Sequence, residues 1–203
     1  MEIVGLKQAK KHQIEVVFQH ESLFLDKETV LKNGLKIGRD LSFDEIESLK
    51  YDSQVTRATS KALWLLGRRE YSKKEMLMRL VKDGFDKDAS AQTVETLSQS
   101  GVIDDERFAY NFAYNLHINR RLGRRAIITE LMLKGVDREI AETYADEFCD
   151  DEVRDAAEII RVKYKGFNED EKINRRMFAG LQRKGYSYSV IKSAMDLVES
   201  EEP

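Results

Sequence analysis

The chain has 203 residues, 41% hydrophobic and 35% charged, with 34 Lys/Arg against 37 Asp/Glu for a net charge of −3. That supplies enough apolar material for a core and an unusual amount of charge, a balance that suits thin helical layers with much exposed surface. The single cysteine, Cys149, excludes an internal disulfide and a cysteine-based metal cluster, and no apolar run approaches the roughly 18 residues of a membrane span.

Met1 to Lys11 lack the apolar core of a secretory signal, so a cytoplasmic protein is expected. Lys11 to Phe18 is partly alternating and β-branched, and Ser22-Leu23-Phe24-Leu25-Asp26 follows a polar break; the pair predicts a β-hairpin. Glu28 to Lys32 reads as one or two helical turns ending at Asn33-Gly34. Ser42-Phe43-Asp44-Glu45 has the capping-box pattern, opening a short helix to about Tyr51. A hairpin alone is marginal in water, so residues 1–52 are expected to form a small α+β module.

From Ser53 onward the pattern is helical, and only one proline stands in the whole chain. A short phrase recurs three times: Leu80 to Asp86 around Gly84, Leu131 to Asp137 around Gly135, and Leu181 to Ser187 around Gly185. The glycines lie 51 and 50 residues apart, which marks one unit used three times. In each copy a helix meets a Gly suited to positive φ, then an apolar residue, then an Asp or Ser able to cap the next helix. Eight residues before each Gly stand Met76, Ile127 and Met177; seven before, Leu77, Ile128 and Phe178; four before, Leu80, Leu131 and Leu181. That spacing is one helical face. The expected division is three three-helix repeats at 53–101, 102–150 and 151–200, mainly α, in an elongated curved array.

Charge follows the same period. Lys61 to Phe85 carries seven cationic against three anionic residues, His117 to Arg138 six against two, and Arg161 to Lys184 eight against three. Ten residues before each Gly stand Lys74, Arg125 and Arg175, off the apolar face. The candidate binding residues are therefore Arg68, Arg69, Lys73 and Lys74, then Arg120, Arg121, Arg124 and Arg125, then Lys172, Arg175, Arg176, Arg183 and Lys184. Two readings stay open on residues alone. They form a stripe for a phosphate backbone or acidic protein surface, or they pair with acidic neighbours such as Asp146 to Glu158. No P-loop, His-Glu-x-x-His or Cys-x-x-Cys occurs, and His12, His20 and His117 are isolated, so no enzyme, cofactor or metal is expected.

Three stretches carry a family likeness. They are Arg68-Arg69-Glu70-Tyr71-Ser72-x-x-Glu75-Met76-Leu77 with Leu80 and Gly84-Phe85; Gly101 to Ala109; and Gly123-x-x-x-Ile127 with Leu131 and Lys134-Gly135-Val136. With them the chain resembles the RecX family, regulators of the RecA recombinase, over about residues 55 to 198. The third repeat departs most, with a longer first loop and Gly180 inside its middle helix. The resemblance implies a non-enzymatic protein that binds the RecA–DNA filament and restrains its ATPase, coprotease and strand-exchange activities. It favours the binding stripe and an elongated monomer contacting the filament, including single- or double-stranded DNA backbone without sequence specificity. A helix-turn-helix transcription regulator and a helical scaffold indifferent to DNA are the alternatives.

Overall fold

The computed structural model describes residues 1–10 and 12–201, so Lys11, where the first strand was expected to begin, and Glu202 and Pro203 lie outside the described residues. Its N-terminal module holds three strands rather than two: β1 Gly5–Lys10, β2 Gln13–Val17 and β3 Ser22–Asp26, antiparallel in the order β1-β2-β3. Strand β1 escapes the sequence pattern because it is an edge strand. Its last four side chains are exposed and only Leu6 turns toward the core. Its pairing, Gly5 opposite Val17 and Lys7 opposite Glu15, rests on the backbone of β2. Ile14, Val16 and Leu25 face inward in the alternation of period two and close over Ile3, Leu41, Ile46 and Leu49.

Helix α1 spans Lys27–Lys32, and α2 runs unbroken over Phe43–Leu66. The two helices expected on either side of residue 52 are thus one. Nothing at Asp52-Ser53 breaks a helix, and Ser53 sits buried in the apolar stripe with its Oγ accepting the Asp26 N–H at 2.6 Å. That bond ties the end of β3 to the middle of α2. The predicted capping box opens the helix: Glu45 N–H donates to Ser42 Oγ at 3.2 Å and Ser42 N–H to Glu45 Oε2 at 2.8 Å. The first half of α2 packs on the sheet through Ile46 and Leu49. The second half packs through Ala58, Ala62 and Leu65 on α3 Lys73–Lys82 and α4 Lys87–Gln99.

Six helices complete the described chain: α5 Asp105–Arg120, α6 Arg124–Leu133, α7 Arg138–Phe148, α8 Glu152–Lys163, α9 Glu171–Arg183 and α10 Tyr188–Glu201 follow α4 in two further triplets. Two compact units divide the chain, Met1–Asp104 and the part from Asp105 onward. The glycine joints have the expected geometry, with φ of +93° at Gly84, +86° at Gly135 and +94° at Gly185. In each, the next residue's N–H reaches back to the leucine carbonyl: Phe85 to Leu80 at 3.2 Å, Val136 to Leu131 at 3.1 Å, Tyr186 to Leu181 at 3.2 Å. This six-to-one bond is a Schellman closure. The following helix is then capped by Asp86, Asp137 or Ser187 as predicted. Met76, Ile127, Met177, Leu80, Leu131 and Leu181 are all fully buried, while Leu77, Ile128 and Phe178 lie half-buried at the core margin.

Candidate functional site

In the N-terminal unit the predicted cations gather around the turn between α2 and α3. Arg68 stacks on Trp64, its guanidinium carbon 3.7 Å from the ring centroid. Arg69 lies 3.6 Å over Tyr71 and pairs with Glu75 at 3.1 Å. Lys73 and Lys74 are exposed on the first turn of α3, which Ser72 caps. Sequence reasoning passed over Trp64. The signal was available, since Arg68 follows it by four residues and Lys61 precedes it by three, the spacings that share a helical face.

In the C-terminal unit three predicted cations hold the protein together. The loop from Arg120 to Gly123 receives the third glycine joint: Gly123 N–H donates to the Lys184 carbonyl at 2.8 Å, and Tyr186 Oη donates to the Arg121 carbonyl at 3.2 Å. Lys184 Nζ donates to the carbonyls of Arg120 and Arg121, the latter at 3.5 Å, and desolvation holds its pKa below the usual ammonium value. Arg121, at φ +48°, pairs with Glu158 at 2.5 Å, and the Glu158 hydrogen bond raises its pKa. Arg124 grips Asp146 through Nε and Nη2, the second contact at 3.0 Å. The bland reading of the acidic stretch 146–158 therefore holds for Arg121 and Arg124, which are partners of the very carboxylates named for it.

The same docking explains Gly123. It has no side chain to cap α6, and Glu152, from the start of α8, supplies the acceptor by taking the Arg124 N–H at 2.8 Å. A Cβ at Gly123 would stand 2.6 Å from that Glu152 oxygen. Carboxylate and glycine are thus matched, with negative charge at a helix N-terminus.

The cations left facing solvent are Arg120, Arg125, Lys172, Arg176 and Arg183, together with Arg175, which pairs with Glu171 one turn away. Arg125 and Arg183 line one groove of about 540 Å³, with Thr129, Glu130, Gln182 and the exposed Tyr188 around them. Arg175 stands about 12 Å along α9 from Arg183. Nearby, Cys149 Sγ lies 3.9 Å from His117 Nδ1, and His117 Nε2 lies 3.8 Å from Asp155 Oδ2. The order resembles a nucleophile set, but burial pushes the Cys149 thiol up to about 12, leaving it protonated and unreactive. Among the described residues no group of three His, Cys, Asp or Glu could hold a metal ion, and no helix is long and apolar enough to cross a membrane.

Three three-helix units on one recurring joint, with exposed cations at a fixed offset from it, define a tandem helical-repeat protein. Family models for "RecX, first three-helix domain", "second" and "third" match residues 58–97, 104–144 and 150–195. The regulatory protein RecX of Mycolicibacterium smegmatis is 36% identical over 152 residues, covering 71% of this chain and 79% of that protein. The one from Bacillus subtilis is 28% identical over 183 residues, covering 87% and 68%. A crystal structure of regulatory protein RecX superposes with a TM-score of 0.74 at 16% identity, over 96% of this chain and 98% of that one. The chain belongs to the RecX family.

Proposed function

We propose that this protein regulates a RecA-type recombinase by binding its filament on DNA in the cytoplasm, as a monomer and without chemistry of its own. In this reading it restrains the recombinase's ATPase, coprotease and strand-exchange activities. One observation carries the reading: Lys74, Arg125 and Arg175 stand exposed at the same offset in three successive repeats. A repeating cation matches a repeating partner, whether the phosphates of DNA or the acidic surface of successive protomers. Family membership and the regulatory name borne by the relatives support it.

The test is the recombinase's DNA-dependent ATPase with this protein titrated in. Restraint is expected at or below equimolar protein, and the triple variant Lys74→Glu, Arg125→Glu, Arg175→Glu should lose it while keeping its helical circular dichroism. An unchanged ATPase with the wild-type protein refutes the function. Full restraint by the triple variant refutes these residues as its carriers.

A further inference from the structure

Trp64 is the only tryptophan in the chain, and it is 49% exposed beside Leu63 near the C-terminal end of α2. Its neighbours on the helix, Ala62 and Leu65, are buried in the repeat core, so the indole projects from the opposite side. Two cations lie against the ring: Arg68 at 3.7 Å and Lys61 Nζ at 4.8 Å from the centroid. Their charge situations differ. Lys61 is held by Asp83 at 3.2 Å, which also takes Arg79, and Glu75 is held by Arg69. The Arg68 guanidinium lies over the indole, and among the described residues neither Arg68 nor Lys74 makes an ion pair. Asp83 and Glu75 are thus committed to cations, whereas Arg68 and Lys74 are not paired with a carboxylate.

A half-exposed indole that carries one guanidinium without a carboxylate partner, with the exposed Lys74 on the next helix, has a definite complement. Every nucleobase offers a flat surface that stacks on an indole whatever its identity, and each is joined to a phosphate that a guanidinium or ammonium attracts. In a duplex the base faces are already stacked on one another, so only the phosphates remain available. We propose that Trp64 is a stacking platform for single-stranded nucleic acid, with Arg68 and Lys74 taking the flanking phosphates. The proposal rests on the reading that the partner is a nucleoprotein filament, and it names the component that meets this patch. A Trp–Arg pair also suits a protein interface. The one-signed free charge favours the polyanion.

The full-length protein carries its own reporter. Titration with an oligothymidylate at low salt should quench the Trp64 emission saturably, and a duplex of equal length should quench it far less. Trp64→Ala should weaken binding of the labelled oligonucleotide about tenfold by anisotropy, and Trp64→Phe should recover most of that loss. The salt slope of binding should survive Trp64→Ala and fall by about one in Arg68→Gln. No oligonucleotide binding, equal binding by Trp64→Ala, or quenching by recombinase without DNA overturns the platform, the last in favour of a protein contact. Restraint of the ATPase by a protein that binds no oligonucleotide retires the platform and leaves the filament reading standing. Oligonucleotide quenching with an untouched ATPase retires the filament reading alone.

Discussion

Gly84→Ala and Gly185→Ala perturb the same joint in two repeats and should differ for one reason. Both residues sit near φ +90°, so an added Cβ costs about 1–2 kcal/mol in either place. At Gly84 the Cβ meets nothing within 4 Å. At Gly185 it stands 2.6 Å from Ala126 Cβ and closer still to the Ala126 amide nitrogen. That backbone is held by the Gly123 and Arg124 bonds and has little room to retreat. Overpacking of this kind adds about 1–3 kcal/mol. Gly84→Ala should therefore lose about 1–2 kcal/mol and Gly185→Ala about 2–5 kcal/mol. Urea unfolding followed by circular dichroism measures both, and hydrogen exchange should place the loosening of Gly185→Ala at 120–124 and 184–186. Equal losses in the two variants would show that the third joint does not bear on α6, and the docking account fails.

Two further outcomes test the same contact from the charge side. Glu152→Ala should cost about 1 kcal/mol as a lost helix cap, and Glu152→Gln, which keeps an acceptor, should cost less; equal losses exclude the capping role. Asp146 is held below the usual carboxylate pKa by its hydrogen bond to Arg124, so its stabilisation is present above pH 3.8 and is lost as pH falls through the lowered folded value. The stability gap between wild type and Arg124→Gln should accordingly narrow from about pH 5 to about pH 3. A gap that widens on acidification contradicts the pairing.

The repeat was legible because its signals are local. A helix-stopping glycine, a capping Asp or Ser, and apolar residues at fixed offsets act within a few turns, and 50-residue recurrence multiplies them. Strand β1 was not legible, since an edge strand with four exposed side chains leaves almost no hydrophobic trace. Nor was the fused helix α2, because the role of Ser53 as a buried anchor for the distant Asp26 leaves no local trace. The thirteen cations illustrate the limit for sites. Arg121, Arg124 and Lys184 share their composition and spacing with Arg125 and Arg183, and only packing separates those tied to carbonyls and carboxylates from those facing solvent.

One difference inside the repeated phrase gains meaning from this. The residue before the joint glycine is Asp83 in the first repeat and Lys184 in the third. Lys184 donates to two carbonyls of the preceding loop, a task that needs an N–H-rich, flexible side chain and that a carboxylate cannot perform. Asp83 instead accepts from Lys61 on α2 and Arg79 on its own helix, closing the first repeat on itself. The same backbone position thus serves self-closure in the first copy and docking on a neighbour in the third, while in the second Lys134 lies over Phe112 of its own repeat. The glycine fixes the turn in all three. The residue before it makes a different contact in each copy.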